Sequence, residues 1–252
     1  MSKIALITGA TSGIGKACAK LFAKEGYNLV ITGRRADRLE ALSQFLATEF
    51  NIQVFCLSFD VKNHEAVINN LENLPVTWKK VDVLINNAGL SQGLDPINKG
   101  NFDDWNNMID TNIKGLLYIT KIVSNWMINN NKGHIINIGS IAGKEVYTNG
   151  NVYCATKHAV DALNKAMRVD LLPHGIKVTG IHPGAVETEF SEVRFHGDKE
   201  RAKKVYDGFE PLNADDVAET IWFAVSRPAH VNINDLVVMP TAQASASVIL
   251  RK

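Results

Sequence analysis

The feature that most constrains this chain is an alternation. Short, uninterrupted apolar runs are separated by longer stretches with helical periodicity, from one end to the other. Residues 4–7 form an apolar run ending in Thr8-Gly9, and a helical stripe follows over 13–25, with Ile14, Ala17, Cys18, Leu21 and Phe22 on one side. Gly26 closes it, where a helix C-cap would sit. The unit then recurs. Strand 29–32 precedes helix 37–48, strand 52–58 precedes helix 63–71, and strand 81–85 precedes a long helix over 103–130. Strand 135–138 precedes helix 153–172, strand 178–181 precedes helix 214–225, and a last strand falls at 236–238. Runs without polar alternation are buried on both faces, as in a parallel sheet. Strand–helix alternation supplies the helices that cover it.

The expected fold class is therefore α/β: one doubly wound, Rossmann-like domain over residues 1–252, with about seven parallel strands and helices on both faces. A barrel would need eight units. No linker, repeat or low-complexity tract divides the chain. Lys and Arg total 27 against 26 Asp and Glu, a net charge of +1, so no basic excess exists to neutralise nucleic-acid phosphates. The longest uncharged stretch, 236–250, contains Pro240 and several Ser, Thr and Gln, which excludes it as a membrane span. The first apolar run reaches glycine by Gly9, too soon for a signal-peptide core. Cys18, Cys56 and Cys154 lie far apart with no CxxC, which suits a reducing compartment, so a cytoplasmic location is expected. The seven histidines show no HxxxH or HExxH spacing, so no metal is expected.

Gly9, Gly13 and Gly15 sit between the first strand and the first helix. Glycines there let the backbone turn tightly and approach a pyrophosphate, which the helix N-terminus then holds. About 20 residues further on, NAD-binding chains place an acid for the ribose 2′-hydroxyl. Here that stretch reads Thr32-Gly33-Arg34-Arg35, with no acid and two guanidiniums. Planar guanidinium donors match a 2′-phosphate, which favours NADP. Asp60, past the third strand, is either an adenine contact or a helix cap on spacing alone.

Tyr153 and Lys157 are four apart in a helical stretch and share one face. Ser140 follows strand 135–138, and Asn87-Ala88-Gly89 follows strand 81–85, so both lie at the carboxyl edge, where open α/β sheets bind ligands. Asn112 interrupts the long helix with poor propensity. A cation beside Tyr153 favours its phenolate. Tyr153 could then move a proton as base or acid, while Ser140 donates a hydrogen bond to the substrate oxygen.

Together these residues resemble the classical short-chain dehydrogenase/reductase family, over almost the whole chain and in order. The resemblance implies a catalytic set of Asn112, Ser140, Tyr153 and Lys157, with Asn112 holding a water linked to Lys157. It implies cofactor contacts at Gly9, Thr11, Ser12, Gly13, Ile14 and Gly15, then Arg34, Arg35, Asp60 and Val61, then Asn87, Ala88 and Gly89. Tyr153, Lys157, Pro183, Gly184, Val186 and Thr188 complete that set. It further implies a substrate lid over about 190–212, a C-terminal interface tail over about 237–252 and a homotetramer.

Several stretches, among them 188–195 and 230–234, resemble the branch of NADP-dependent 3-hydroxy acid dehydrogenases. That branch interconverts serine, allo-threonine and 3-hydroxypropionate-like acids with their 3-oxo acids. A carboxylate entering a closed pocket needs a paired cation. Arg194 and Lys144 are the two candidates, beside Ser140 and Tyr153 as substrate contacts. The alternatives are a carbonyl reductase of another substrate class and a non-catalytic NADP-binding regulator. Paired acids at Asp103-Asp104, Glu187/Glu189 and Asp215-Asp216 are assigned no chemistry, with Asp103 expected to cap the long helix.

Overall fold

The computed structural model describes residues 2–252. Seven parallel strands form one sheet: β1 (Ile4–Ile7), β2 (Asn28–Gly33), β3 (Val54–Ser58), β4 (Val83–Asn86), β5 (His134–Ile138), β6 (Lys177–Pro183) and β7 (Asp235–Val238), in the order β3-β2-β1-β4-β5-β6-β7. Helices α1 (Gly13–Lys24), α2 (Ala36–Phe50) and α3 (His64–Glu72) follow the first three strands. Helices α4 (Phe102–Ile109) and α5 (Leu116–Asn129) follow β4, α6 (Asn151–Asp170) follows β5, and α7 (Phe190–Arg194), α8 (Lys199–Lys204) and α9 (Ala214–Val225) lie between β6 and β7.

Strand periodicity builds the two-sided core. In β1, Ala5 and Ile7 face one cluster with Phe22 of α1, Leu42 of α2 and Ile221 of α9. Ile4 and Leu6 face the other, with Leu71 of α3, Val123 of α5 and Met167 of α6. Residues two apart point to the same face, so a continuous apolar run is what this burial demands. Because β1 pairs with both β2 and β4, the chain reverses its direction of travel there and opens a crevice at the carboxyl ends of β1 and β4.

Two expectations are corrected. The stretch read as one long helix is three segments, with a π-helical turn over Asp110–Gly115 between α4 and α5. Asn112 sits in that turn, and π-turns favour functional positions. The cap of α4 is Asn101, whose Oδ1 accepts from the Asp103 and Asp104 amides at 2.7 and 3.3 Å, rather than Asp103. Asp215 and Asp216 do occupy the first turn of α9, where Asn213 and Asp216 form a capping box. No helix among the described residues is long and apolar enough to cross a membrane.

Candidate active site

The crevice begins at the turn after β1. Thr8 closes its floor: its Oγ1 accepts from the Asn87 and Ala88 amides at 3.0 and 2.9 Å, while Asn87 Nδ2 donates to the Thr8 carbonyl at 2.9 Å. Gly13 takes φ +51° and faces Thr188, so a side chain there would be strained and would crowd the cleft. Gly15 has a different task. A Cβ on it would collide with the Gly9 carbonyl and the Asn87 amide, so it lets α1 pack against the turn from behind. Every cofactor residue read from the sequence lines the cleft except Gly15. The cradle of Gly9, Thr11, Ser12 and Gly13 at a helix N-terminus fits a bound pyrophosphate.

At the far edge of the cleft, Arg35 donates to Thr11 Oγ1 and Ser12 Oγ, both at 2.9 Å, and to Glu189 Oε2 at 2.8 Å. Arg38 holds the other Glu189 oxygen at 2.7 Å. The Arg35 hydrogen bond is the main force keeping the Glu189 carboxyl below the ordinary range. Arg34 is more open, with its Nη1 3.8 Å from Asp60. Asp60 does not cap α3, whose cap is Asn63; it lines the cleft wall. Glu189, which sequence reasoning set aside, is the acid that links this arginine cluster to the segment after β6.

The reacting end combines β5, the turn after it and α6. Ser140 begins a short turn over Ile141–Gly143, accepting the Ala142 amide at 3.1 Å, and its hydroxyl lines the cleft with Tyr153 and Lys157. Burial pushes the Tyr153 phenol up, and nearby Tyr147 adds to this; the Arg194 guanidinium and the neighbouring Ser140 hydroxyl oppose it. Burial lowers the Lys157 ammonium to about 8. Its Nζ donates to the Ile138 carbonyl at 2.8 Å and lies 5.9 Å from the Tyr153 ring centroid. Lys157 is the neighbouring cation expected from the sequence, and Arg194 is a second one, whose guanidinium opposes the effect of burial on Tyr153.

Asn112 lies behind this site. Its amide accepts from Leu90 N at 2.9 Å and donates to Leu90 O at 2.8 Å and Thr156 Oγ1 at 3.0 Å. It braces the loop after β4 against α6, a role the helix reading did not reveal. Cys154, beside Tyr153, is buried in the small apolar cluster there.

The two proposed carboxylate clamps separate. Arg194 Nε donates to Ser91 Oγ at 2.9 Å and Nη2 to the Tyr147 hydroxyl at 2.6 Å. Its guanidinium carbon lies 5.1 Å from the Tyr153 ring centroid and 5.5 Å from that of Phe190. Neither residue lines the cleft itself: Arg194 lies against Tyr153 and Phe190, which do, whereas Lys144 Nζ is 2.6 Å from Asp161. Two carboxylates, Asp161 and Asp235, already face that ammonium, whereas no carboxylate among the described residues pairs with Arg194. Tyr147 and Ser91, absent from the sequence reading, became visible only through their contact with Arg194.

The description "short chain dehydrogenase" matches residues 3–199 of this sequence. The chain belongs to the short-chain dehydrogenase family. The NADP-dependent 3-hydroxy acid dehydrogenase of Salmonella typhimurium is 44% identical over 250 residues, covering 99% of each chain. The protein of the same description from Schizosaccharomyces pombe is 42% identical over 251 residues, covering 99% of this chain and 97% of that one. Among solved structures, the closed form of serine dehydrogenase complexed with NADP+ superposes with a TM-score of 0.92 at 44% identity, covering 99% of both chains. As a member of this family the chain is an oxidoreductase, and its single sheet-centred domain is the family fold.

Proposed function

We propose that this dehydrogenase uses NADP to interconvert small 3-hydroxy acids, such as serine, allo-threonine and 3-hydroxypropionate, with their 3-oxo acids. The observation that carries the reading is Arg194. Its guanidinium is held beside Tyr153 by two neutral hydroxyls, and no carboxylate among the described residues pairs with it. A cation in an aromatic setting without an ionic partner is suited to a substrate carboxylate. A 3-hydroxy acid can bring its hydroxyl to Ser140 and Tyr153 while its carboxylate meets Arg194.

Bound NADP supplies the hydride acceptor in oxidation and, when reduced, the donor in reduction. Gly9, Thr11, Ser12 and Gly13 hold its pyrophosphate, and Arg34 and Arg35 its 2′-phosphate. Lys157 and the Pro183-Gly184 turn flank the nicotinamide side, with Val186 and Thr188 beyond. Ser140 donates to the substrate oxygen. Tyr153 takes the hydroxyl proton in oxidation and returns it in reduction. The segment over 190–212 contributes Phe190 and Val193 to the cleft wall, which supports its reading as a cover over the substrate. The tail packs on its own chain, where Gln243 Oε1 accepts from Ala185 N at 2.8 Å, and exposed Val169, Leu172 and Val237 support self-association as a homotetramer.

The test is an absorbance assay of NADPH formation with L-serine, D-serine, allo-threonine, 3-hydroxypropionate and neutral alcohols. Turnover of the hydroxy acids above that of uncharged alcohols is expected, and Tyr153→Phe should abolish it while leaving NADP binding intact. A preference for neutral alcohols would overturn the substrate assignment.

A further inference from the structure

The place where Lys144 does reside has its own logic. Its Nζ lies 2.6 Å from Asp161 Oδ1 and 3.8 Å from Asp235 Oδ1. The second Asp161 oxygen accepts from Lys165 at 2.7 Å. Fully buried His182 brings its Nε2 to 3.1 Å from Asp235, and Arg168 approaches the other Asp235 oxygen at 3.4 Å. Asp161, His182 and Asp235 are close enough to consider a metal ion, with ligand atoms within 4.8 Å of one another. The Lys144 ammonium supplies the positive charge at that point, which makes the cluster an ion-pair hub.

The hub joins four pieces of the fold: the turn after Ser140, α6, β6 and β7. Lys144 ends the turn that Ser140 begins, with its own amide donating to Ile141 O at 2.9 Å. Asp161 stands about one helical turn beyond Lys157 and about two beyond Tyr153. The ion pair thus connects the segment that carries Ser140 to the helix that carries Tyr153 and Lys157. These two pieces also touch at Gly143, where a Cβ would come within 2.6 Å of the Lys157 carbonyl oxygen. Ala142 of the same turn is buried with Tyr153 and Cys154 of α6, so these contacts set the separation of the two pieces by small apolar groups alone. The ion pair one turn away adds a directional attachment that resists sliding along the helix.

We propose that Lys144 is a positioning residue, whose ion pair with Asp161 fixes the Ser140 hydroxyl against the Tyr153–Lys157 face. The proposal rests on the reading of Ser140 and Tyr153 as the groups that meet the substrate oxygen. Both partners are largely shielded, with side-chain exposures of 26% and 11%, so the pair is protected from solvent screening. A shift of about 1 Å at a reacting group can cost about 100-fold in rate.

The test compares steady-state kinetics of Lys144→Met, Lys144→Arg, Asp161→Asn and the Met/Asn double variant with the parent enzyme, using NADP with a 3-hydroxy acid and with a neutral alcohol. Lys144→Met should lower kcat about 10- to 100-fold. KM for NADP and for each substrate should stay within about twofold, because Lys144 touches neither. Lys144→Arg should recover most of the loss, and the double variant should be no slower than the slower single variant. The fractional loss should be the same for both substrates. Should Lys144→Met not fold, Lys144→Gln carries the same comparison. A kcat within twofold of the parent, losses that multiply in the double variant, or a raised KM confined to the acid would overturn the proposal. Tyr153→Phe separates the two levels: if it retains turnover, the reading of the reacting pair fails whatever Lys144 does.

Discussion

Replacing Asn112 by alanine tests whether the π-turn is a brace for the site. The side chain is buried and makes three hydrogen bonds, two to the Leu90 backbone and one to Thr156 Oγ1. Each contributes about 1 kcal/mol net, which gives about 3 kcal/mol. Truncation also leaves the buried Leu90 N–H and C=O without partners and opens a small void, adding about 1 kcal/mol. A loss of about 4 kcal/mol in a chain of this size lowers the thermal midpoint by about 8–16 °C. Thr156→Val removes the bond to Asn112 and the Thr156 donation to Tyr153 O, and it leaves both Leu90 bonds in place. It should cost about 1–2 kcal/mol. Calorimetry on the parent and both variants, with urea unfolding beside it, supplies the comparison. A cost for Asn112→Ala below about 1 kcal/mol, or equal costs for the two variants, would refute the brace.

Two further outcomes follow from the cleft. Arg34→Ala should raise KM for NADP about 10- to 100-fold, the loss of one charge-assisted contact, while KM for NAD changes little; equal effects on both cofactors would remove the 2′-phosphate from this arginine. Burial raises the Tyr153 phenol, and oxidation needs its phenolate beside a charged Lys157, so kcat/KM for oxidation should climb with pH and flatten above about 8, where Lys157 loses its charge. Reduction uses the phenol and should stay level over the neutral range, and a pH-independent oxidation rate would sink this assignment.

The fold was legible because burial on both faces of a parallel sheet leaves a direct record in β-branched runs such as 4–7 and 135–138. The glycine turn and the Tyr153/Lys157 pair were equally plain, since each depends on spacing along one element. Arg194 against Tyr147, Ser91 and Phe190 depends on three separate segments meeting, and spacing carries no trace of that. Lys144 shows the same limit from the other side. Its position four residues after Ser140 suggested the substrate, and only the approach of α6 and β7 revealed Asp161 and Asp235 as its partners. The π-turn at Asn112 was hidden because helical periodicity is almost unchanged by one widened turn.

The central claim, that Arg194 makes this a hydroxy-acid enzyme, is tested most directly by one ratio: kcat/KM for 3-hydroxypropionate over kcat/KM for a neutral alcohol of similar size, in the parent and in Arg194→Met. A buried charge-assisted pair lost from the substrate is worth about 1.5–3 kcal/mol, so the ratio should fall about 10- to 100-fold. A ratio left unchanged by the substitution, whatever the absolute rates, would contradict it.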